Sequence, residues 1–140
     1  ITIDGTNDFS AANEQFSSTS AGYTGYVTWD DSYLYIGMSG ADVAANDANK
    51  YLLIYLDAGA ATTYTTGRSY GLTNPQQPVL PFGASYHFYW RTDNNDSAAF
   101  TTNGSSWILD GAWNWTGDMF QSGNFVELRL PLADIGVTPR

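Results

Sequence analysis

The sequence predicts an all-β protein, a single domain folded as an antiparallel, jelly-roll-like β-sandwich. Apolar and polar residues alternate with a period of two in one segment after another, and no stretch sustains a helical period. Turn-forming residues punctuate these runs. Aromatic residues reach 16%, with ten Tyr and five Trp, a surplus suited to pleated, half-buried surfaces. With 140 residues and 43% hydrophobic content, the chain can bury a real core but is short for two domains.

Residues 1–5, ITIDG, form a short alternating segment that ends in the turn signal Asp-Gly. Residues 9–19 set Phe9 and Phe16 among polar neighbours and are expected as a bent edge strand. The organising element is residues 25–40, GYVTWDDSYLYIGMSG. Val27 and Trp29, then Leu34, Ile36 and Met38, alternate with Tyr, Thr and Gly, while Asp30, Asp31 and Ser32 supply short side chains that bond back to their own backbone. A β-hairpin follows, with Trp29 in the core.

Residues 50–57, KYLLIYLD, are apolar on both faces and predict a central, covered strand. From 58 to 81 the pattern dissolves into Gly, Ala, Thr, Asn, Gln and Pro. A loop of about twenty residues inside a compact domain is functional or builds local structure of its own. Residues 85–92, SYHFYWRT, predict a strand with Tyr86, Phe88 and Trp90 on one face and His87, Tyr89 and Arg91 on the other. Phe88 belongs to the core, whereas Trp90 sits between buried and polar neighbours.

The DNND of residues 93–96 closes that strand. Residues 98–102 and 105–109 predict a hairpin joined through Asn103-Gly104, the dipeptide best suited to positive φ angles. Trp113 and Trp115 share a face across Asn114, residues 125–130 (FVELRL) form the last strand, and 131–135 make one helical turn. The expected total is about eight or nine short strands.

The charge excludes one class of partner. A net charge of -9 without a basic stripe repels phosphate backbones, so nucleic acid is not expected. The absence of cysteine removes disulfides, thiolate metal sites and a cysteine nucleophile. No apolar run approaches the roughly 20 residues of a membrane-spanning helix. An Ile1 start without Met, little Lys and abundant Thr, Ser, Asn, Gly and Tyr read as a processed extracellular protein.

Three segments together resemble the carbohydrate-binding module family 9 and the wider DOMON-like β-sandwiches. They are the IDG of residues 3–5, the VTWDDSYLYIGMSGAD of residues 27–42, and the VELRLPLADIG of residues 126–136, with IYLD at 54–57 between them. The resemblance implies a β-sandwich. Members of that group bind sugars, bind haem or do neither, and some hold a structural calcium ion.

Catalysis is not expected. The acidic residues mostly stand beside Gly, Asn or Ser in turns, where a carboxylate caps backbone N–H groups, and no Gly-x-Ser-x-Gly elbow occurs. For haem the available donors are Met38, Met119 and His87. Met38 lies on an apolar strand face, and His87 reads as a hydrogen-bonded strand histidine. Asp57, Asp93 and Asp96 are weak candidates for the calcium that the resemblance implies.

Sugar binding needs rings for the apolar face of a pyranose and polar groups for its hydroxyls. Such material gathers in the second half: Tyr89, Trp90, Arg91, Asp93 and Asn94, then Trp107, Trp113, Asn114 and Trp115. In this reading Trp90, Trp113 and Trp115 stack while Arg91, Asp93 and Asn94 bond hydroxyls; the competing reading makes the tryptophans core or edge shields. Sequons at Asn95, Asn103 and Asn114 require exposed positions if used.

The leading expectation is therefore a secreted, non-catalytic module that binds a polysaccharide or oligosaccharide. The alternative is a structural subunit of an extracellular filament or surface layer, in which residues 1–3 of one copy add as a strand to the sheet edge of the next.

Overall fold

The computed structural model describes residues 1–138. In chain order the strands are β1 (Gln15–Ser17), β2 (Thr24–Trp29), β3 (Tyr33–Ser39), β4 (Tyr51–Leu56), β5 (Tyr64–Thr66), β6 (Val79–Ala84), β7 (Tyr86–Arg91), β8 (Ser97–Thr102), β9 (Trp107–Leu109), β10 (Met119–Ser122) and β11 (Phe125–Pro131). A 3-10 turn at Ala41–Ala44 and a four-residue helix α1 (Trp115–Asp118) complete the elements. The strand pairings are antiparallel, so the chain has the all-β antiparallel class that the alternation predicts. It forms two compact units.

The first unit, residues 1–45 with 114–134, holds a five-stranded sheet in the order β1-β2-β3-β11-β10. Its centre is the expected hairpin. Asp30 builds the turn: Oδ1 accepts the N–H groups of Ser32 and Tyr33 at 2.7 and 2.8 Å, and Oδ2 accepts the Tyr35 hydroxyl at 2.7 Å. These bonds lower the Asp30 pKa, the Tyr35 hydroxyl contributing most. On one sheet face Phe9, Tyr26, Tyr35 and Phe125 form a buried aromatic cluster. The Phe9, Tyr26 and Phe125 rings lie 5.4 to 6.4 Å apart, the spacing of favourable tilted and edge-to-face pairs. Gly37 lies directly beneath this cluster, since a Cβ there would sit 2.9 Å from the Phe9 ring.

The opening IDG turn docks on the closing strand. Glu127 is fully buried, and its Oε1 accepts the N–H groups of Asp4 and Gly5 at 2.8 and 2.6 Å. Its Oε2 has no hydrogen-bond partner among the described residues. Burial raises the Glu127 pKa, with Asp8 and Asp4 adding to the rise and the two backbone bonds opposing it. Gly5 itself has φ +85°, a conformation that only glycine adopts cheaply.

The second unit, residues 46–113 with 135–137, holds the four-stranded sheet β4-β7-β8-β9 and the two-stranded β5-β6. β7 is central. Tyr86, Phe88 and Trp90 on one face and His87 and Tyr89 on the other are all buried. Polar caps close the loops as expected: Asp93 accepts the Asn95 N–H, Asp57 the Gly59 N–H and Asp47 the Asn49 N–H.

Several expectations are corrected. β4 is an edge strand, because apolar residues on both faces set burial but not which neighbour pairs, and β7 took the centre between β4 and β8. Trp29 is 72% exposed, standing beside the turn of its hairpin opposite Leu34. The stretch 58–81 is not all loop: β5 pairs with β6, and Tyr70 and Gln76 exchange two backbone bonds at 2.9 and 2.7 Å. The β8–β9 turn spans four residues, with the Asn103 side chain accepting the Ser105 and Ser106 N–H groups. β10 is an additional strand, turning into β11 through Gly123 with φ +56°. Residues 132–136 form turns, with the Asp134 N–H bonded to the Pro131 carbonyl.

Candidate functional site

The second unit carries a cleft of about 600 Å³. Its floor comes from edge strand β4, where Tyr51 and Leu53 project on the face that also carries Tyr55. Asn49 adds the rim from the turn before the strand. The opposite wall is residues 70–78, which contribute Tyr70, Thr73, Asn74, Gln76, Gln77 and Pro78. Among the described residues no charged side chain lines the cleft.

Tyr51 and Tyr70 meet at the floor, ring centroids 5.2 Å apart and planes 44° apart. Their rings offer apolar faces, while the amides and the threonine offer paired donors and acceptors. The Asn49 Oδ1 accepts the Leu72 N–H at 3.1 Å, and Gln77 Nε2 donates to the Gly67 carbonyl at 2.9 Å. Thr73, Asn74 and Gln76 are exposed.

The wall is fastened to the sheet from behind. His87, fully buried in β7, stacks on Tyr55 at 4.0 Å and 7°. Its Nδ1 lies 2.9 Å from the Ile54 carbonyl oxygen, which can only accept, so Nδ1 carries the proton. The bare Nε2 then accepts the Tyr70 hydroxyl at 2.5 Å. Burial drives the His87 pKa down to about 4, and the Arg68 charge pushes the same way against the Ile54 bond. Burial likewise raises the Tyr70 pKa.

Arg68 stands beside this pair. Its guanidinium lies 3.9 Å over the Phe100 ring and donates to the Tyr70 hydroxyl at 3.3 Å. Its backbone N–H donates to the Tyr55 hydroxyl at 3.0 Å, and Trp107 Nε1 donates to the Thr66 carbonyl at 2.9 Å. These are the ties that hold the β5-β6 arm against the sheet.

Of the residues singled out for sugar binding, Tyr89 packs against the cleft tyrosines, its ring 4.8 Å from Tyr70 and 6.3 Å from Tyr51, and the others lie outside the described lining. Tyr89, Trp90, Arg91, Asp93 and Asn94 are brought together with Asp96 at the β7–β8 turn, where they bond one another, and Arg91 also bonds Tyr51. Trp90 is 1% exposed and its Nε1 donates to Asn94 Oδ1 at 2.8 Å. Tyr89, also buried, donates its hydroxyl to Asp96 at 2.7 Å. Arg91 Nε pairs with Asp93 at 2.8 Å, which holds the Asp93 pKa down to about 2. The expected stacking role of Trp90 thus falls on a side chain with no free face.

Trp113 packs edge-on against Phe88 at 4.7 Å. Trp115 is 44% exposed and opens α1. The expected shared face fails because Asn114 is an N-cap, accepting the Thr116 N–H at 3.2 Å and ending the two-residue alternation.

Asp93 and Asp96 share Arg91, and Asp57 caps its turn. Among the described residues no group of three or more His, Cys, Asp or Glu is placed to hold a metal ion. His87 is the hydrogen-bonded strand histidine expected, Met38 is half-buried and Met119 is buried. Asn95, Asn103 and Asn114 are all exposed.

Tyr51 and Tyr70 escaped the sequence reading. The signal was the long polar stretch with its internal tyrosines, whose pairing to β4 runs through space rather than along the chain. No family model matches the chain, and neither does any curated protein or solved structure.

Proposed function

We propose that this chain is a non-catalytic, extracellular carbohydrate-binding module whose site is the cleft between β4 and residues 70–78. The observation that carries the reading is the lining itself: two tyrosine rings surrounded by four carboxamides and the Thr73 hydroxyl, with no charge among the described residues. Carboxamides donate and accept at once, as sugar hydroxyls do, and tyrosine rings accept the apolar face of a pyranose. The volume lies within the usual range of small-molecule sites. The resemblance of residues 3–5, 27–42 and 126–136 to family 9 modules supports the same class. A ligand bearing a carboxylate or sulfate would find no cation among the described lining residues and would meet a chain of net charge -9.

Calorimetric titration with soluble neutral oligosaccharides tests this, comparing the native chain with Tyr51→Ala and with Asn74→Ala/Gln76→Ala. Each variant should weaken binding about tenfold or more, equivalent to about 1.4 kcal/mol. Unchanged affinity in both variants would overturn the assignment of the site.

A second reading, a subunit of an extracellular assembly, is favoured by edge strand β9, where Ile108 and Leu109 are 48% and 64% exposed. Such an edge invites strand addition from another copy. The amino-terminal donor is engaged at home: Ile3 packs on the Phe9 cluster and the Thr2 N–H bonds Asp8. Sedimentation of concentrated protein separates the readings, since an assembly subunit sediments as a large species and an isolated binding module as a monomer.

A further inference from the structure

We propose that His87 is a positioning residue of the cleft: as a neutral acceptor it holds the Tyr70 hydroxyl, and with it residues 67–78, and its protonation releases that wall from the sheet. The consequence for ligand binding rests on the saccharide reading above, whereas the movement of the wall rests on geometry alone.

The argument starts from direction. With Nδ1–H committed to the Ile54 carbonyl, Nε2 is the acceptor that the Tyr70 hydroxyl uses. That hydroxyl already accepts from Arg68 Nη1. A proton on Nε2 would set two donors against one hydroxyl, whose own hydrogen would lose its acceptor in a site closed by rings.

The surroundings give the imidazolium no relief. The groups packed on His87 are Tyr55 from β4, Tyr89 from its own strand, Phe100 from β8, Trp107 from β9 and Tyr70 from the wall. Arg68 is the charged group acting on it, and it is a cation. Among the described residues no carboxylate bonds the ring, so a charged His87 would have no counter-charge there in a buried site. The depressed pKa described above agrees with this geometry and places the transition on the acid side of neutrality.

Beyond Tyr70, the wall is fastened to β4 and the turn before it by the Arg68 N–H to the Tyr55 hydroxyl and the Leu72 N–H to Asn49. These two amides report its detachment.

The test is amide hydrogen exchange on the full chain, expressed as protection factors so that the intrinsic pH effect cancels, from about pH 7 to about pH 3.5. Arg68 and Leu72 should lose protection by about tenfold or more as the pH falls from about 6.5 to about 4, with no further loss below, while the β7–β8 ladder stays protected. His87→Gln, whose carboxamide oxygen can accept from Tyr70 without titrating, should abolish that decline and keep the wall closed in acid. Should His87→Gln fail to fold, Tyr70→Phe keeps the ring and should show low protection at every pH. Constant protection in the native chain, or the same pH-dependent loss in native and His87→Gln protein, would overturn the proposal. Maltohexaose and cellohexaose titrated in parallel separate the two claims. If the exchange behaves as described and neither sugar binds near neutral pH, the saccharide reading fails while the role of His87 stands.

Discussion

The buried histidine makes a quantitative demand on the stability of the whole fold. His87 drops from an ordinary value of 6.5 to about 4 on folding, and at 1.36 kcal/mol per unit that difference is worth about 3 kcal/mol. The unfolded chain binds the proton first, so stability rises with pH. The contribution is complete above about pH 6.5, falls steadily between 6.5 and 4, and is lost at lower pH. Other groups titrate near the same window, and Glu127 acts in the opposite sense, its raised pKa making stability fall as pH rises through its folded value. The difference between native and His87→Gln protein isolates the histidine. Urea denaturation at several pH values should show the native chain losing about 1.4 kcal/mol more per pH unit than the variant between about pH 6 and pH 4.5. Parallel curves would refute the reasoning, because they would mean that the proton reaches His87 in the folded state as easily as in the unfolded one.

Other substitutions test the remaining supports. Glu127→Ala leaves the Asp4 and Gly5 N–H groups without their acceptor and should cost about 2 kcal/mol by chemical denaturation. Glu127→Gln keeps an acceptor without a charge and should be at least as stable as the native chain near neutral pH, where the raised pKa makes the ionised form costly. Gly37→Ala should cost about 1 to 3 kcal/mol, since the added Cβ meets the Phe9 and Phe125 rings at 2.9 and 3.1 Å. Trp29→Ala should change the denaturation midpoint little, within about 0.5 kcal/mol, as expected of an exposed residue outside the core.

What the sequence revealed was local. The Asp30 turn, the β7 alternation and the capping role of isolated aspartates depend on residues within a few positions of one another, and all three stand in the structure. Pairing partners are not local. KYLLIYLD reads as a central strand because both faces are apolar, yet it lies at the sheet edge. The alternation from Trp113 to Trp115 misled because the Asn114 cap, itself a legible signal three residues wide, outweighs two matching side chains.

The cleft was the least legible part. Its floor and wall come from positions 49–53 and 70–78, and the ties between them reach further, from Tyr70 to His87 and from Thr66 to Trp107. The aromatic richness of the second half is real, but much of it is spent inward. Trp90 and Tyr89 are buried, Trp107 packs on Tyr55 and Tyr64, and Trp113 on Phe88.

The most direct test of the saccharide site is a nitrogen–proton correlation spectrum of the full chain titrated near neutral pH with a panel of soluble neutral oligosaccharides, followed by uronic-acid and sulfated ones. A saturable neutral ligand that shifts the amides of Asn49, Tyr51, Tyr70, Asn74 and Gln76, with the acidic sugars weaker, is the predicted result. Shifts confined to Trp115 and the β7–β8 turn, or no shift with any sugar, would contradict it.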